Sequence, residues 1–228
     1  MRERNQEVPK KMVLIVSFDG LHRSGKGTQI GLLCDYLKKK DIMYGVLRGD
    51  ISRPGVGSKT FYDPVSSWWQ EWIIKKDKRI DDWNHAYERL VLENETYYYE
   101  FSKINPQGIL VIDRSYLSRW FTSRRFSREH SFEEAFNSTT LHPDQYNIIE
   151  VPKDALLLRC SKDKDRNKNF RNQIIEEYYD LWEETIDLAK NKLGKQITMI
   201  DGTLTLMDIH QIVVYNFLKS QVSQNLLV

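Results

Sequence analysis

The sequence has little cysteine and no long apolar segment, and each absence excludes a class of protein. Its 228 residues include two cysteines, Cys34 and Cys160, which are too few for a disulfide framework or a cysteine-based zinc site. We therefore expect a cytoplasmic protein whose thiols are buried rather than reactive. No run of about 18 apolar residues occurs, so no membrane-spanning helix is expected. The N-terminal segment also lacks the apolar core of a signal peptide.

An excess of charge of one sign is also absent. The chain carries 34 Lys and Arg residues against 32 Asp and Glu residues, for a net charge of +2. This balance gives no reason to expect a nucleic-acid or membrane partner. The balance is an average, however, since Arg159–Arg171 holds six basic and two acidic residues. Such a local excess suits a small anionic substrate.

Short apolar segments alternate with helical patterns along the chain. The apolar segments are rich in Ile, Val and Leu, which is typical of parallel strands buried on both faces. Strands alternating with helices predict an α/β fold with a parallel sheet. We expect one domain over residues 1–228, a three-layer sandwich whose central five-stranded sheet is flanked by helices. The five predicted strands are Met12–Phe18, Met43–Leu47, Ile109–Ile112, Gln145–Val151 and Gln196–Ile200.

The segment DGLHRSGKGTQ lies between the first strand and the first helix. Its Gly-x-x-x-x-Gly-Lys spacing is that of a P-loop, in which backbone N–H groups and a helix N-terminus surround phosphate oxygens. The lysine would bridge the transferred phosphate, which predicts ATP binding. Gly27 stands where many P-loops have Ser or Thr, so Thr28 is the candidate Mg²⁺ ligand. The predicted ATP-binding residues are Gly20, Leu21, His22, Arg23, Ser24, Gly25, Lys26, Gly27 and Thr28.

A second group of polar residues, Asp113, Arg114 and Ser115, follows the apolar strand Ile109–Ile112. The carboxyl ends of parallel strands face the ligand crevice of such a sheet. A carboxylate there can hold Mg²⁺ or accept a proton, and a neighbouring guanidinium can clamp phosphates. We therefore predict that Asp113 and Arg114 are catalytic and that Asp113 is a metal ligand. The alternative is a surface ion pair that closes the strand.

These motifs resemble those of a known family. The run DGLHRSGKGTQIGLLCDYLKKKDIMYGVLRGD is similar to the N-terminal segment of thymidylate kinases. The resemblance extends to Ile109–Ser118, His142–Arg159 and Ile200–Gly202, whereas Ser58–Ile104 matches poorly. It implies a P-loop kinase that uses ATP and Mg²⁺ to phosphorylate a nucleoside monophosphate, either dTMP or another deoxynucleotide.

The same resemblance implies a role for the basic segment Arg159–Arg171, which lies between a helix predicted to start at Asp154 and a helix predicted over Ile174–Leu193. Nucleoside monophosphate kinases have a mobile lid at this place, here about residues 160–171, whose arginines close over the transferred phosphate. Some thymidylate kinases instead carry a catalytic arginine inside the P-loop, and this chain has Arg23 there. A solvated charged turn is the alternative interpretation for the segment. The lid candidates are Arg159, Arg166 and Arg171.

The acceptor site departs from the family pattern. Thymidylate kinases usually carry Asp where this chain has His22, and their thymine-binding Arg corresponds here to Asn94 or Glu95. Eleven aromatic residues lie between Phe61 and Phe101. They are compatible with a base-stacking wall, with helix packing, or with the subunit interface of a homodimer. The acceptor candidates are Arg48, Arg53, Asn94 and Ser118.

Two other functions remain open at this point. The DRS sequence at Asp113 resembles the Glu-Arg-Ser of deoxyribonucleoside kinases, which would make the acceptor a free nucleoside. The missing Asp and Arg of the acceptor site would also suit a nucleotide-binding regulatory module without transfer activity. A GTPase is not favoured, because the sequence has no Asn-Lys-x-Asp guanine-binding motif.

Overall fold

The computed structural model describes residues 13–48, 95–125, 131–137, 141–162 and 168–223. Five strands form one parallel sheet with the order β2-β3-β1-β4-β5, which confirms the predicted fold class. Each strand begins and ends within two residues of its predicted bounds. The strands are β1 (Leu14–Asp19), β2 (Tyr44–Arg48), β3 (Ile109–Asp113), β4 (Gln145–Glu150) and β5 (Ile197–Asp201).

Helices flank this sheet. Helix α1 follows the P-loop and packs against the last helix, while the longest helix packs against two others. A 3₁₀ turn at Gly194–Gln196 leads into β5. The helices are α1 (Lys26–Lys39), α2 (described over 95–104), α3 (Tyr116–Arg125), α4 (Phe132–Asn137), α5 (Lys153–Ser161), α6 (Lys168–Leu193) and α7 (Leu206–Ser223).

The side chains of β1 divide between two apolar clusters because successive residues of a strand point to opposite faces. Leu14, Val16 and Phe18 belong to the larger cluster, which includes residues of α1 and α7. Val13 and Ile15 belong to the smaller cluster, which includes Phe101 of α2. The sheet is therefore covered on both faces, as its continuous apolar strands predict.

The predicted lid is more helical at its ends than its sequence indicates. Helix α5 continues to Ser161, and α6 already begins at Lys168, six residues before the helix predicted at Ile174. Residues 168–173 contain a single apolar residue, Phe170, which is too little apolar periodicity to predict where the helix begins. Residues 163–167, which include Arg166, lie outside the described residues.

Both cysteines are free thiols, and neither has the character of a reactive group. Cys160 is fully buried and Cys34 is half-buried. Burial, with the nearby charge of Asp35, raises the pKa of the Cys34 thiol to about 11, so little reactive thiolate forms at neutral pH. No helix in the described part of the chain is long and apolar enough to cross a membrane.

Candidate active site

The P-loop has a backbone that requires glycine at defined places. Gly20 has φ +146°, and a Cβ there would lie 2.7 Å from the Ile149 carbonyl oxygen. Gly25 caps α1 with φ +102°, and Arg23 has φ +66°. These positive φ values curl the chain between β1 and α1, as the glycine spacing predicts. No acidic residue occupies the first turn of α1, so its N-terminus is electrostatically suited to an anion.

Lys26 lies inside this loop rather than on the surface. Its side chain is 6% exposed, and its ammonium group donates hydrogen bonds to the carbonyl oxygens of Gly20 and Leu21, both at 2.7 Å. A third contact, at 3.3 Å, joins the ammonium to the Ser24 hydroxyl. The loop therefore holds a positive charge among its own backbone groups, where phosphate oxygens can replace carbonyl oxygens as partners.

The end of β3 lies beside the end of β1. In the parallel register Asp113 pairs with Phe18 on one side and with Arg48 on the other. Asp113 is half-buried at this strand end. Arg114 follows it with φ +71°, a left-handed conformation that costs a non-glycine residue about 1–3 kcal/mol. A strained residue at a strand end facing the P-loop is typical of a functional position.

Asp19 was not among the residues predicted for the site, although it connects these two segments. The residue is fully buried, and one carboxylate oxygen accepts bonds from the Ser115 N–H at 2.9 Å and the Ser118 hydroxyl at 2.7 Å. The other oxygen accepts a bond from the Ser17 hydroxyl at 3.1 Å. Burial raises the pKa of this carboxyl, while the hydrogen bonds oppose that rise. The Asp-Gly pair that opens the P-loop is the only sequence signal of this role.

Arg159 joins the P-loop to the segment after β5. Its guanidinium donates one bond to the Arg23 carbonyl oxygen at 3.2 Å and another to the Gly202 carbonyl oxygen at 2.6 Å. Gly202 is packed so closely that a Cβ would lie 2.4 Å from a methyl carbon of Val151. In this arrangement Arg159 holds two loops together.

The comparisons with known proteins agree with this geometry. No family model matches the chain. The chain is 28% identical over 214 residues to thymidylate kinase from Sulfurihydrogenibium sp. (strain YO3AOP1), covering 89% of this chain and 96% of that protein. It is also 28% identical over 203 residues to the probable thymidylate kinase of Methanosphaera stadtmanae, covering 84% and 91%. The chain is thus similar to thymidylate kinases over most of its length.

A solved structure supports the same fold. The crystal structure of thymidylate kinase from Ehrlichia chaffeensis matches with a TM-score of 0.58 and 14% sequence identity, covering 90% of this chain and 98% of that one. The sheet and helices described above are thus those of a thymidylate kinase-like P-loop fold.

Apart from Arg48, which ends β2, and Arg159, the predicted site residues fall into three groups. The P-loop residues lie together between β1 and α1, and Asp113 and Arg114 lie at the neighbouring strand end. Two other candidates are held inside the fold, since Ser118 is 1% exposed and Arg171 is 9% exposed. The Ser118 hydroxyl donates its hydrogen bond to Asp19 at 2.7 Å. The last group, Arg53, Asn94 and Arg166, lies outside the described residues.

The side-chain oxygens near the P-loop suit Mg²⁺, because that ion needs only a few protein ligands when phosphates and water supply the rest. Within the described residues, no group of three His, Cys, Asp or Glu side chains is arranged to hold a metal ion. Thr28 is exposed at the start of α1 and Asp113 is half-buried, and each side chain carries an oxygen of the kind that Mg²⁺ prefers. Mg²⁺ in nucleotide enzymes usually takes one or two protein oxygens together with phosphates and water. The donor set is therefore compatible with that ion.

Proposed function

We propose that this protein is an ATP-dependent nucleoside monophosphate kinase that converts dTMP to dTDP. The observation that carries the proposal is the P-loop, which encloses Lys26 and lies beside Asp113 and Arg114 at the adjacent strand end. The thymidylate kinase relatives cover nearly the whole chain, and they do not favour a nucleoside kinase or a non-catalytic module.

The reaction transfers the γ-phosphoryl group of ATP. An oxygen of the acceptor phosphate bonds to the γ-phosphorus, the bond to the β–γ bridging oxygen breaks, and ADP leaves. Because the reaction concentrates negative charge on the transferred group, the protein must supply positive charge in fixed positions. We assign this role to Lys26, Arg23 and Arg114, with Arg159, Arg166 and Arg171 as lid candidates.

The remaining residues are assigned to binding. Backbone N–H groups from Gly20 to Thr28 would hold the donor phosphates, and Thr28 and Asp113 would hold Mg²⁺, which supplies positive charge beside those phosphates. Asp113 can also accept a hydrogen bond from the acceptor. We assign acceptor binding to Arg48, Arg53, Asn94 and Ser118, as the sequence predicts.

A substrate panel tests the proposal. The full chain is incubated with ATP and Mg²⁺, and ADP release is measured with dTMP, dUMP, dCMP, dGMP or dAMP and with the free nucleosides. We expect the highest kcat/KM with dTMP, and no turnover above background for Lys26→Ala. Faster release with thymidine than with dTMP would indicate a nucleoside kinase, and no acceptor-dependent release would refute the kinase function.

We further propose a cytoplasmic enzyme that acts on small nucleotides without a membrane or nucleic-acid partner. A homodimer is the assembly we expect if the aromatic-rich segment 61–101 forms a subunit interface. Light scattering on the purified chain measures this directly, because a mass near twice 27.1 kDa identifies the dimer.

A further inference from the structure

Two consecutive peptide groups of the Asp113–Ser115 segment are held by the end of β1. The Arg114 N–H donates to the Phe18 carbonyl oxygen at 2.9 Å, which continues the parallel ladder. The next N–H, that of Ser115, donates to the Asp19 carboxylate at 2.9 Å instead of to a backbone carbonyl. An aspartate side chain thus takes the place of a backbone acceptor at the point where the ladder ends.

The residue between these two bonds is the one with a strained backbone. Arg114 has φ +71°, a conformation that persists in a non-glycine residue only when its surroundings impose it. The bonds fix the peptide groups on both sides of the Arg114 α-carbon. Ser115 is 2% exposed, so its N–H would have no ready access to water if the carboxylate were removed.

The environment of Asp19 indicates that its carboxylate serves to accept hydrogen bonds and not to supply a negative charge. The carboxylate is fully buried, and its hydrogen-bond donors in the described part of the chain are the neutral groups of Ser17, Ser115 and Ser118. Burying a carboxylate without a cationic partner is unfavourable. Its presence here is explained if the geometry of its oxygens is what the site needs.

We propose that Asp19 is a positioning residue that fixes the left-handed backbone of Arg114 by binding the Ser115 N–H, and thereby directs the Arg114 guanidinium toward the transferred phosphate. The inference rests on the proposed function of Arg114 in phosphoryl transfer. Asp19 itself touches no substrate in this scheme. It acts only through the peptide group that follows Arg114.

The proposal distinguishes two substitutions of the same residue. Asp19→Asn keeps an oxygen for Ser115 and Ser118, and its amide can donate to the Ser17 hydroxyl, which accepts as well as donates. Asp19→Ala removes the acceptor and releases the Ser115 N–H. We therefore expect Asp19→Asn to retain kcat within about fivefold, whereas Asp19→Ala lowers kcat about 30-fold or more with the KM for ATP changed less than about threefold.

A double-mutant cycle tests whether the effect passes through Arg114. If it does, Asp19→Ala made in an Arg114→Ala background lowers kcat by less than about threefold further, because the guanidinium it positions is already absent. Equal factors for Asp19→Ala in both backgrounds would overturn the proposal. So would an Asp19→Asn variant as slow as Asp19→Ala, since the charge itself would then be required.

A measurement without nucleotide separates this inference from the proposed function. Amide hydrogen exchange at Ser115 should be slow in the wild type and in Asp19→Asn, and about tenfold faster or more in Asp19→Ala. This expectation holds whether or not the chain is a kinase. Equal exchange rates in all three proteins would show that Asp19 does not hold the Ser115 N–H. If Asp19→Ala does not fold, Asp19→Ser replaces it, because its shorter side chain can bond to neighbouring hydroxyls but does not reach the Ser115 N–H. Ser17→Ala is the matched control, since it removes one bond to Asp19 and leaves the bond to Ser115.

Discussion

Arg159 gives the sharpest test of the site. The sequence pattern predicts a lid residue that acts on bound nucleotide, whereas the structure shows a residue that holds two loops together. As a lid arginine it would act only when nucleotide is bound. In the structure it instead bonds to the carbonyl oxygens of Arg23 and Gly202. We predict that Arg159→Ala lowers the free energy of unfolding of the nucleotide-free protein.

The size of this loss follows from the two hydrogen bonds. The part-buried bond to Gly202 is 2.6 Å long, and a bond from a charged donor contributes about 1.5–3 kcal/mol. The bond to Arg23 is exposed and 3.2 Å long, so it contributes about 0.5–1 kcal/mol. Together they amount to about 2–4 kcal/mol. For a domain of this size each kcal/mol shifts the Tm by about 2–4 °C, which gives a decrease of about 9 °C near the middle of the range.

Differential scanning calorimetry without nucleotide measures this decrease. Lys162→Ala is the matched control, because Lys162 is an exposed cation that caps the same helix and its loss should cost under about 1 kcal/mol. Arg159→Lys should fall between the two, since one ammonium group does not span both carbonyl oxygens. If Arg159→Ala melts no lower than Lys162→Ala, the two bonds do not stabilise the loops. A fall in kcat at unchanged Tm would then identify Arg159 as a lid residue alone.

Three further predictions concern the P-loop, the Asp-Arg segment and the thiols. Lys26→Ala should lower kcat about 10²-fold or more, and steady-state ADP release with dTMP measures this. A variant that kept a tenth of the wild-type rate would exclude Lys26 from transition-state stabilisation. Arg114→Ala should also cost about 10²-fold in kcat, and a loss under fivefold in the same assay would remove it from the catalytic residues. Alkylation of Cys34 by iodoacetamide should be slow at pH 8 and should accelerate as the pH rises toward about 11, where its raised pKa lies. Mass spectrometry of peptides follows this reaction, and rapid modification at pH 8 would show that the thiol pKa is not raised.

The sequence predicts the strands well because a parallel sheet buried on both faces demands continuous apolar residues. Leu14–Asp19 and Ile109–Asp113 contain such runs, and each ends at an Asp at the carboxyl edge of the sheet. The order of the strands has no comparable pattern, because it depends on contacts between distant segments. Helix α6 shows the opposite case, since its first six residues contain only one apolar residue, Phe170, and so give little apolar periodicity.

The same distinction applies to the candidate site: features set by local sequence could be predicted, and contacts between distant residues could not. The P-loop could be predicted because its glycines are needed at fixed spacing for a local backbone shape. The contacts of Arg159 could not, because both of its acceptors are backbone carbonyl oxygens, which every residue type possesses. Asp19 was overlooked for a similar reason, since its partner Ser115 lies 96 residues away.

Asp19 and Asp113 show how the depth of a carboxylate decides what it can do. Each ends one of two neighbouring strands, so the sequence pattern alone does not distinguish the roles of the two residues. Asp19 is fully buried, and each of its oxygens already accepts at least one bond, so it is suited to holding the backbone in place. Asp113 is only half-buried, and it is the carboxylate that we propose for a cation or an acceptor. The strained Arg114 is connected to both carboxylates through its neighbours in the chain. The half-buried Asp113 precedes it, and the Ser115 N–H that follows it is bonded to Asp19. In the role that we propose for Arg114, a guanidinium held in this way would not have to be reoriented during the reaction, which is the condition under which a fixed charge lowers a barrier most.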